Sequence, residues 1–127
     1  MNFNMTEKGF AADLEFGNLQ VSGDEQYGFR PYQLMVASVA VCSGGVLRKI
    51  LEKKRLHIED IQIEAKAERN EAEANRIERI HVHFAIKGKD LKEEAIAKAM
   101  ELTRKNCSMV RSVEGSIDIQ ETFEIIG

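Results

Sequence analysis

The sequence predicts an α+β fold with its elements in the order β-β-β-α-β-β-α-β. Three patterns carry this reading. Apolar residues alternate with period two over 61–67 and 80–86, a charge-free run over 31–47 is too long for a strand, and an amphipathic stretch after Asp90 closes on basic residues. At 127 residues the chain is expected to form one domain, 1–127, burying roughly two-thirds of the surface that its unfolded form exposes.

Near the start, Phe10, Ala12, Leu14 and Phe16 alternate with Ala11, Asp13 and Glu15, and Leu19 and Val21 follow the turn residues Gly17 and Asn18. The first thirty residues therefore read as short strands. The segment 23–28 (GDEQYG) is a loop, and Pro31 suits the first position of a helix. A long helix is expected over 32–55. Its first half is apolar on nearly all sides, the mark of a helix covered by neighbours, and 48–55 carries five basic residues and one acidic residue, Glu52. Gly44 and Gly45 inside it each cost about 1 kcal/mol relative to Ala. With Ala37, Ala40 and Ser43, Gly44 forms a small-residue surface that suits close helix-on-helix packing across a dimer; a local kink is the alternative.

Ile61, Ile63, Ala65 and Ala67 share one strand face, and Ile80, Val82, Phe84 and Ile86 another, with the polar stretch 70–76 between them. An antiparallel hairpin follows. Asp90, three residues before Glu93, has the spacing of a capping box, and the helix that it opens is expected to present Leu91, Ala95, Ala99 and Leu102 on one stripe. Arg104 and Lys105 complement the dipole at its end, and Cys107 follows. The last strand places Ile117, Ile119, Phe123 and Ile125 on one parity, where Glu121 is a misfit.

Composition narrows the function. A formal charge of −3 gives no general attraction to nucleic acid or to an anionic membrane, so neither is expected as a partner. No basic, then apolar, leader is visible at the N-terminus, and the 17-residue charge-free run falls short of the ~20 apolar residues of a membrane span. The expected location is the cytoplasm.

Two cysteines, Cys42 and Cys107, exclude a disulfide-stapled miniprotein and a four-Cys zinc site. Mid-helix Cys42 reads most simply as packing, because free cysteine behaves as a small hydrophobe and apolar burial raises its pKa. Cys107, at a helix end beside Asn106, Ser108 and Arg111, is placed where a second thiol needs access. Inert packing and redox chemistry both remain open from position alone. His81 and His83 point to one face of a strand but lack a third ligand, so no metal is expected. The basic run from Arg48 to Arg55 reads as a solvated helix end. No Gly-rich phosphate loop or Ser/His/Asp arrangement occurs, and no cofactor is expected.

Pro31-x-x-Leu34 followed by VASVAVC, ending at Cys42, resembles the pattern P-x-[EQ]-L-hydrophobic-x-A-A-x-x-x-C of the OsmC/Ohr family of osmotically induced proteins and organic hydroperoxide reductases. The likeness continues through 57–63, 80–88, Lys89-Asp90-Leu91, Asn106-Cys107-Ser108 and 115–119, about three-quarters of the chain. It implies an OsmC-like fold of antiparallel sheets around a long central helix, with a second helix, in an intertwined homodimer. It implies that Cys42 is the peroxidatic thiolate, that Cys107 is the resolving thiol, and that an external dithiol regenerates the pair. The organic-hydroperoxide branch of the family uses an Arg from the N-terminal strands, held by a Glu just after the motif proline. Here Tyr32 and Gln33 follow Pro31, and no Arg precedes Arg30. Arg30, Gln33 and Arg111 are the supporting residues nearest the motifs. Without the Arg–Glu pair, Cys42 is expected to titrate near or above about 8.5. The resemblance implies a thiol peroxidase acting on organic or inorganic hydroperoxides. The alternative is a non-enzymatic dimeric relative that binds a small hydrophobic ligand or partner in an apolar cleft near Cys42.

Overall fold

A computed structural model describes residues 1–127. The chain forms two compact units, Met1–Met35 and Val36–Gly127.

The first unit is an antiparallel meander of β1 (Asn4–Met5), β2 (Phe10–Asp13) and β3 (Asn18–Val21), with Met5 opposite Phe10 and Ala12 opposite Leu19. The expected alternation through Leu14 and Phe16 stops at Asp13. The Leu14 N–H bonds the Gly17 carbonyl, and the Asn18 amide donates to Asp13, closing a turn that leaves Phe16 fully exposed. At Gly9 a Cβ would lie 2.2 Å from the Val21 carbonyl oxygen, so only glycine lets these backbones approach.

Helix α1 (Pro31–Lys53) starts where the proline allows it. The Gln33 side-chain oxygen reaches back to accept the Arg30 N–H at 3.4 Å, the return arm of a capping box. The helix stops before the expected 55. The Arg55 N–H bonds the Glu52 carbonyl and the Leu56 N–H bonds the Leu51 carbonyl, a Schellman ending in which Arg55 takes the left-handed φ of 59° that glycine usually supplies.

In the second unit β4 (His57–Asn70) and β5 (Arg76–Lys89) form the expected antiparallel hairpin, joined by a 3₁₀ turn at Glu71–Glu73. Asn70 caps that turn by accepting the Ala72 N–H at 3.0 Å, and Ala74 and Asn75 both adopt left-handed φ. After β5 come α2 (Glu93–Asn106) and α3 (Ser108–Val113), and then β6 (Asp118–Ile126) joins β5. This last pairing is parallel, because the chain crosses over through two helices before returning, so the sheet is mixed in the order β4-β5-β6.

One face of this sheet supplies Ile80, Val82, Phe84, Ile86 and Ile119 to a core shared with Val39, Leu47 and Leu51 of α1, Ile96 and Ala99 of α2, Cys107, and Val110 of α3. Of the small-residue surface on α1, Ala40, Ser43 and Gly44 are buried within the chain. A Cβ at Gly44 would lie 2.5 Å from the tip of Ile63 on β4, so this glycine serves helix-on-sheet contact. Ala37, Val41 and Gly45 stay exposed. By length and composition alone α1 is apolar enough to cross a bilayer, a test that the core helix of a soluble protein also passes; here Val39, Leu47 and Leu51 are fully buried.

The second helix departs from expectation in two ways. Asp90 adopts a left-handed φ of 53° and does not cap it; α2 begins three residues later, behind Lys92. The buried stripe is accordingly Ile96, Ala99 and Thr103, and Leu102 is exposed.

Candidate active site

Cys42 lies midway along α1, and its sulfur faces the break between α2 and α3. Cys107 occupies that break with extended backbone (φ −82°, ψ 111°), because its N–H ends α2 on the Thr103 carbonyl while its carbonyl accepts the Arg111 N–H of α3. Its side chain is fully buried, and that of Cys42 is partly so. Both thiols are free.

The two sulfurs titrate in opposite directions. Burial is the largest influence on Cys42 and works against its thiolate. Hydrogen bonds from the Met109 N–H, the Ser108 hydroxyl, the Cys107 thiol and the Ser108 N–H outweigh it and bring Cys42 below the ordinary value of 9.0. The Ser108 oxygen stands 3.6 Å from the sulfur. Cys107 is pushed up to about 11, first by burial, and further by donating to Cys42 and by the charge that Cys42 carries; the Val110 N–H opposes this. The surroundings thus ease ionisation of Cys42 and oppose that of Cys107, whose thiol donates a hydrogen bond to its neighbour.

No Arg–Glu pair takes part in this shift of Cys42. Amide, hydroxyl and thiol donors lower its pKa, and none of these is a cation. Arg111 pairs instead with Glu114 at 3.2 Å and is 60% exposed. Arg30 and Gln33 belong to the first unit. There the Arg30 guanidinium bonds the Tyr32 hydroxyl at 3.1 Å, lies 5.0 Å from that ring's centre and 3.9 Å from Glu25, and its Nε is buried without a partner. Gln33 holds the helix start.

Ser108 and Met109, whose groups reach the Cys42 sulfur, are not among the site residues expected from the sequence. Their role depends on α3, whose six residues carry no periodicity. Also missed was the partner of Glu121. This carboxylate is 6% exposed, accepts the Ser43 hydroxyl on Oε2, and has Arg104 at 3.9 Å from Oε1.

His81 and His83 share Thr122. Its hydroxyl lies 2.9 Å from His81 Nε2 and 2.7 Å from His83 Nδ1, and Glu124 stands 3.2 Å from the other nitrogen of His83. Both imidazoles are held in a hydrogen-bonded ladder on strand β5. A cavity of about 460 Å³ opens between α1 and β4, lined by Val41, Gly44, Gly45, Ile58, Ile61 and Ile63 together with Arg48, Glu52, Glu59 and Asp60. Neither cysteine lines it, although Val41 beside Cys42 does, and part of its wall is charged.

Comparison with known proteins agrees with the fold. The family model for OsmC-like proteins matches residues 22–122. The chain is 29% identical over 97 residues to Protein YhfA of Escherichia coli K12, a match covering 76% of this chain and 72% of that protein. Among solved structures, a hypothetical protein from Aquifex aeolicus VF5 superposes with a TM-score of 0.88 at 27% identity, covering 98% of this chain and 93% of that one. An organic hydroperoxide resistance protein from Elizabethkingia anophelis shares the fold with a TM-score of 0.76 at 14% identity, covering 99% and 97%. The family match takes in the α1 motif and both cysteines, and the chain belongs to the OsmC-like protein family.

Proposed function

We propose that the protein is a cysteine-based hydroperoxide reductase of the cytoplasm, working through a Cys42–Cys107 cycle in defence against peroxides. The observation that carries this reading is the placement of two free thiols together, with Cys42 on α1 facing the α2–α3 break that Cys107 occupies and Ser108 at 3.6 Å from the Cys42 sulfur; the surroundings lower the pKa of Cys42 and raise that of Cys107. Membership of the OsmC-like family, and a fold shared with a protein described as an organic hydroperoxide resistance protein, support it.

The Cys42 thiolate attacks the outer peroxide oxygen, the O–O bond breaks, and the departing alkoxide takes a proton and leaves as alcohol; Cys42 becomes a sulfenic acid. Amide N–H groups of Ser108 and Met109 steady the sulfur until attack, which is how the site dispenses with an Arg–Glu pair. The Cys107 thiol then attacks the Cys42 sulfur, forming the disulfide and releasing water. An external dithiol reduces the disulfide by exchange and is itself oxidised. The exposed residues Ala37, Val41 and Gly45 on α1 suit the homodimer that the family resemblance implies.

Steady-state consumption of tert-butyl hydroperoxide with dithiothreitol as reductant tests the reading. Cys42→Ser is expected to abolish turnover, and Cys107→Ser to leave one fast turnover followed by a stall. Full activity in Cys42→Ser overturns it.

A further inference from the structure

Glu121 breaks the pattern of its own strand. On β6 its neighbours of the same parity are Ile119, Phe123 and Ile125, all packed on the core, and in that row an apolar side chain is what the sheet face asks for. The carboxylate is nonetheless nine-tenths buried, and its Oε1 accepts no hydrogen bond, an arrangement that burial makes unfavourable unless something else depends on it.

Its two contacts show what does. Ser43, whose hydroxyl bonds Oε2, is fully buried and directly follows Cys42. Arg104, 3.9 Å from Oε1, lies three residues before Cys107 on the last turn of α2. The same guanidinium donates to the Ile119 carbonyl and stands 3.6 Å from Glu114, which in turn binds Arg111 four residues beyond Cys107. One polar chain therefore runs from the residue beside Cys42 to both sides of Cys107, with the β6 carboxylate at its centre. We infer that Glu121 is a positioning residue: by holding Ser43 and Arg104 together it sets the Cys42 sulfur on α1 against the Cys107 sulfur at the α2–α3 break.

The inference rests on the reading of the two thiols as a working pair, and its test needs no peroxide. In mixtures of reduced and oxidised glutathione the pair closes as one oxidised glutathione is converted to two reduced, so the equilibrium constant reports how well the sulfurs are placed. Glu121→Leu, which restores the apolar row, is expected to fold with an unchanged or higher melting temperature and to lower that constant about tenfold or more. Glu121→Gln, which keeps an oxygen for Ser43, is expected to stay within about threefold of the native protein. Ser43→Ala removes the same contact from the other end and is expected to lower the constant too, which covers a Glu121→Leu protein that does not fold. A native constant in folded Glu121→Leu, or in Ser43→Ala where the first variant does not fold, overturns the inference. A native pair that never closes overturns both the inference and the reductase reading. A pair that closes and responds to Glu121, in a protein that consumes no hydroperoxide, overturns the reductase reading alone.

Discussion

The hydroxyl oxygen of Ser108 lies 3.6 Å from the sulfur of Cys42, on a helix that begins at the residue after the second cysteine. Chain direction thus does two things at once: the α2–α3 break exposes Cys107 to its partner and turns the first N–H groups of α3 toward the same sulfur. A mid-helix thiol otherwise suited to inert packing has its pKa lowered by these donors.

Ser108→Ala removes one donor and leaves the amides in place. Cys42 is then expected to titrate higher, and its alkylation by iodoacetamide at pH 7 to slow by about three- to tenfold, since each factor of ten corresponds to one pKa unit. An unchanged pH profile contradicts the assigned role of the hydroxyl.

Cys107 makes the protein sensitive to alkali. Its folded pKa, about 11, lies above the unfolded value near 9, so the contribution of the neutral thiol is complete below pH 9 and lost as the pH rises toward 11. Cys42 is displaced the other way, so its contribution is present above pH 9 and falls as the pH drops through its lowered value. Under reducing conditions, urea unfolding between pH 8.5 and 10.5 is expected to show the native protein losing about 1–2 kcal/mol more than Cys107→Ala. Equal losses in the two proteins count against the assignment.

Arg55 closes α1 in a left-handed conformation that disfavours any side chain. Arg55→Gly is expected to stabilise the protein by about 0.5–1 kcal/mol, read as a higher urea midpoint at an unchanged slope.

Gly88 faces the opposite demand. A Cβ there would lie 2.2 Å from the His57 carbonyl oxygen, a backbone atom that cannot swing aside. Gly88→Ala is expected to cost about 1–3 kcal/mol by the same measurement.

Much of the fold was legible because it follows period and punctuation. The 61–67 and 80–86 alternations became the paired β4 and β5, and Pro31 marks the start of α1. Readings failed where tertiary contacts outweigh local pattern. Asp90 has the spacing of a cap, yet it sits in a left-handed turn, so α2 starts later and its buried stripe rotates onto Ile96 and Thr103. The two cysteines stood out through motif resemblance, whereas the donors that lower the Cys42 pKa did not, because six residues of α3 are too few to show a helical repeat. Glu121 was visible as a misfit in its strand; that it faces Ser43 depends on how β6 is seated beside β5.

Intact-mass measurement and peptide mapping of the reduced protein, after one equivalent of tert-butyl hydroperoxide, test whether Cys42 and Cys107 work as a peroxide-reducing pair. The expected result is a rapid loss of two hydrogens mapping to a Cys42–Cys107 disulfide. An unchanged mass over minutes, with both thiols still open to alkylation, would contradict it.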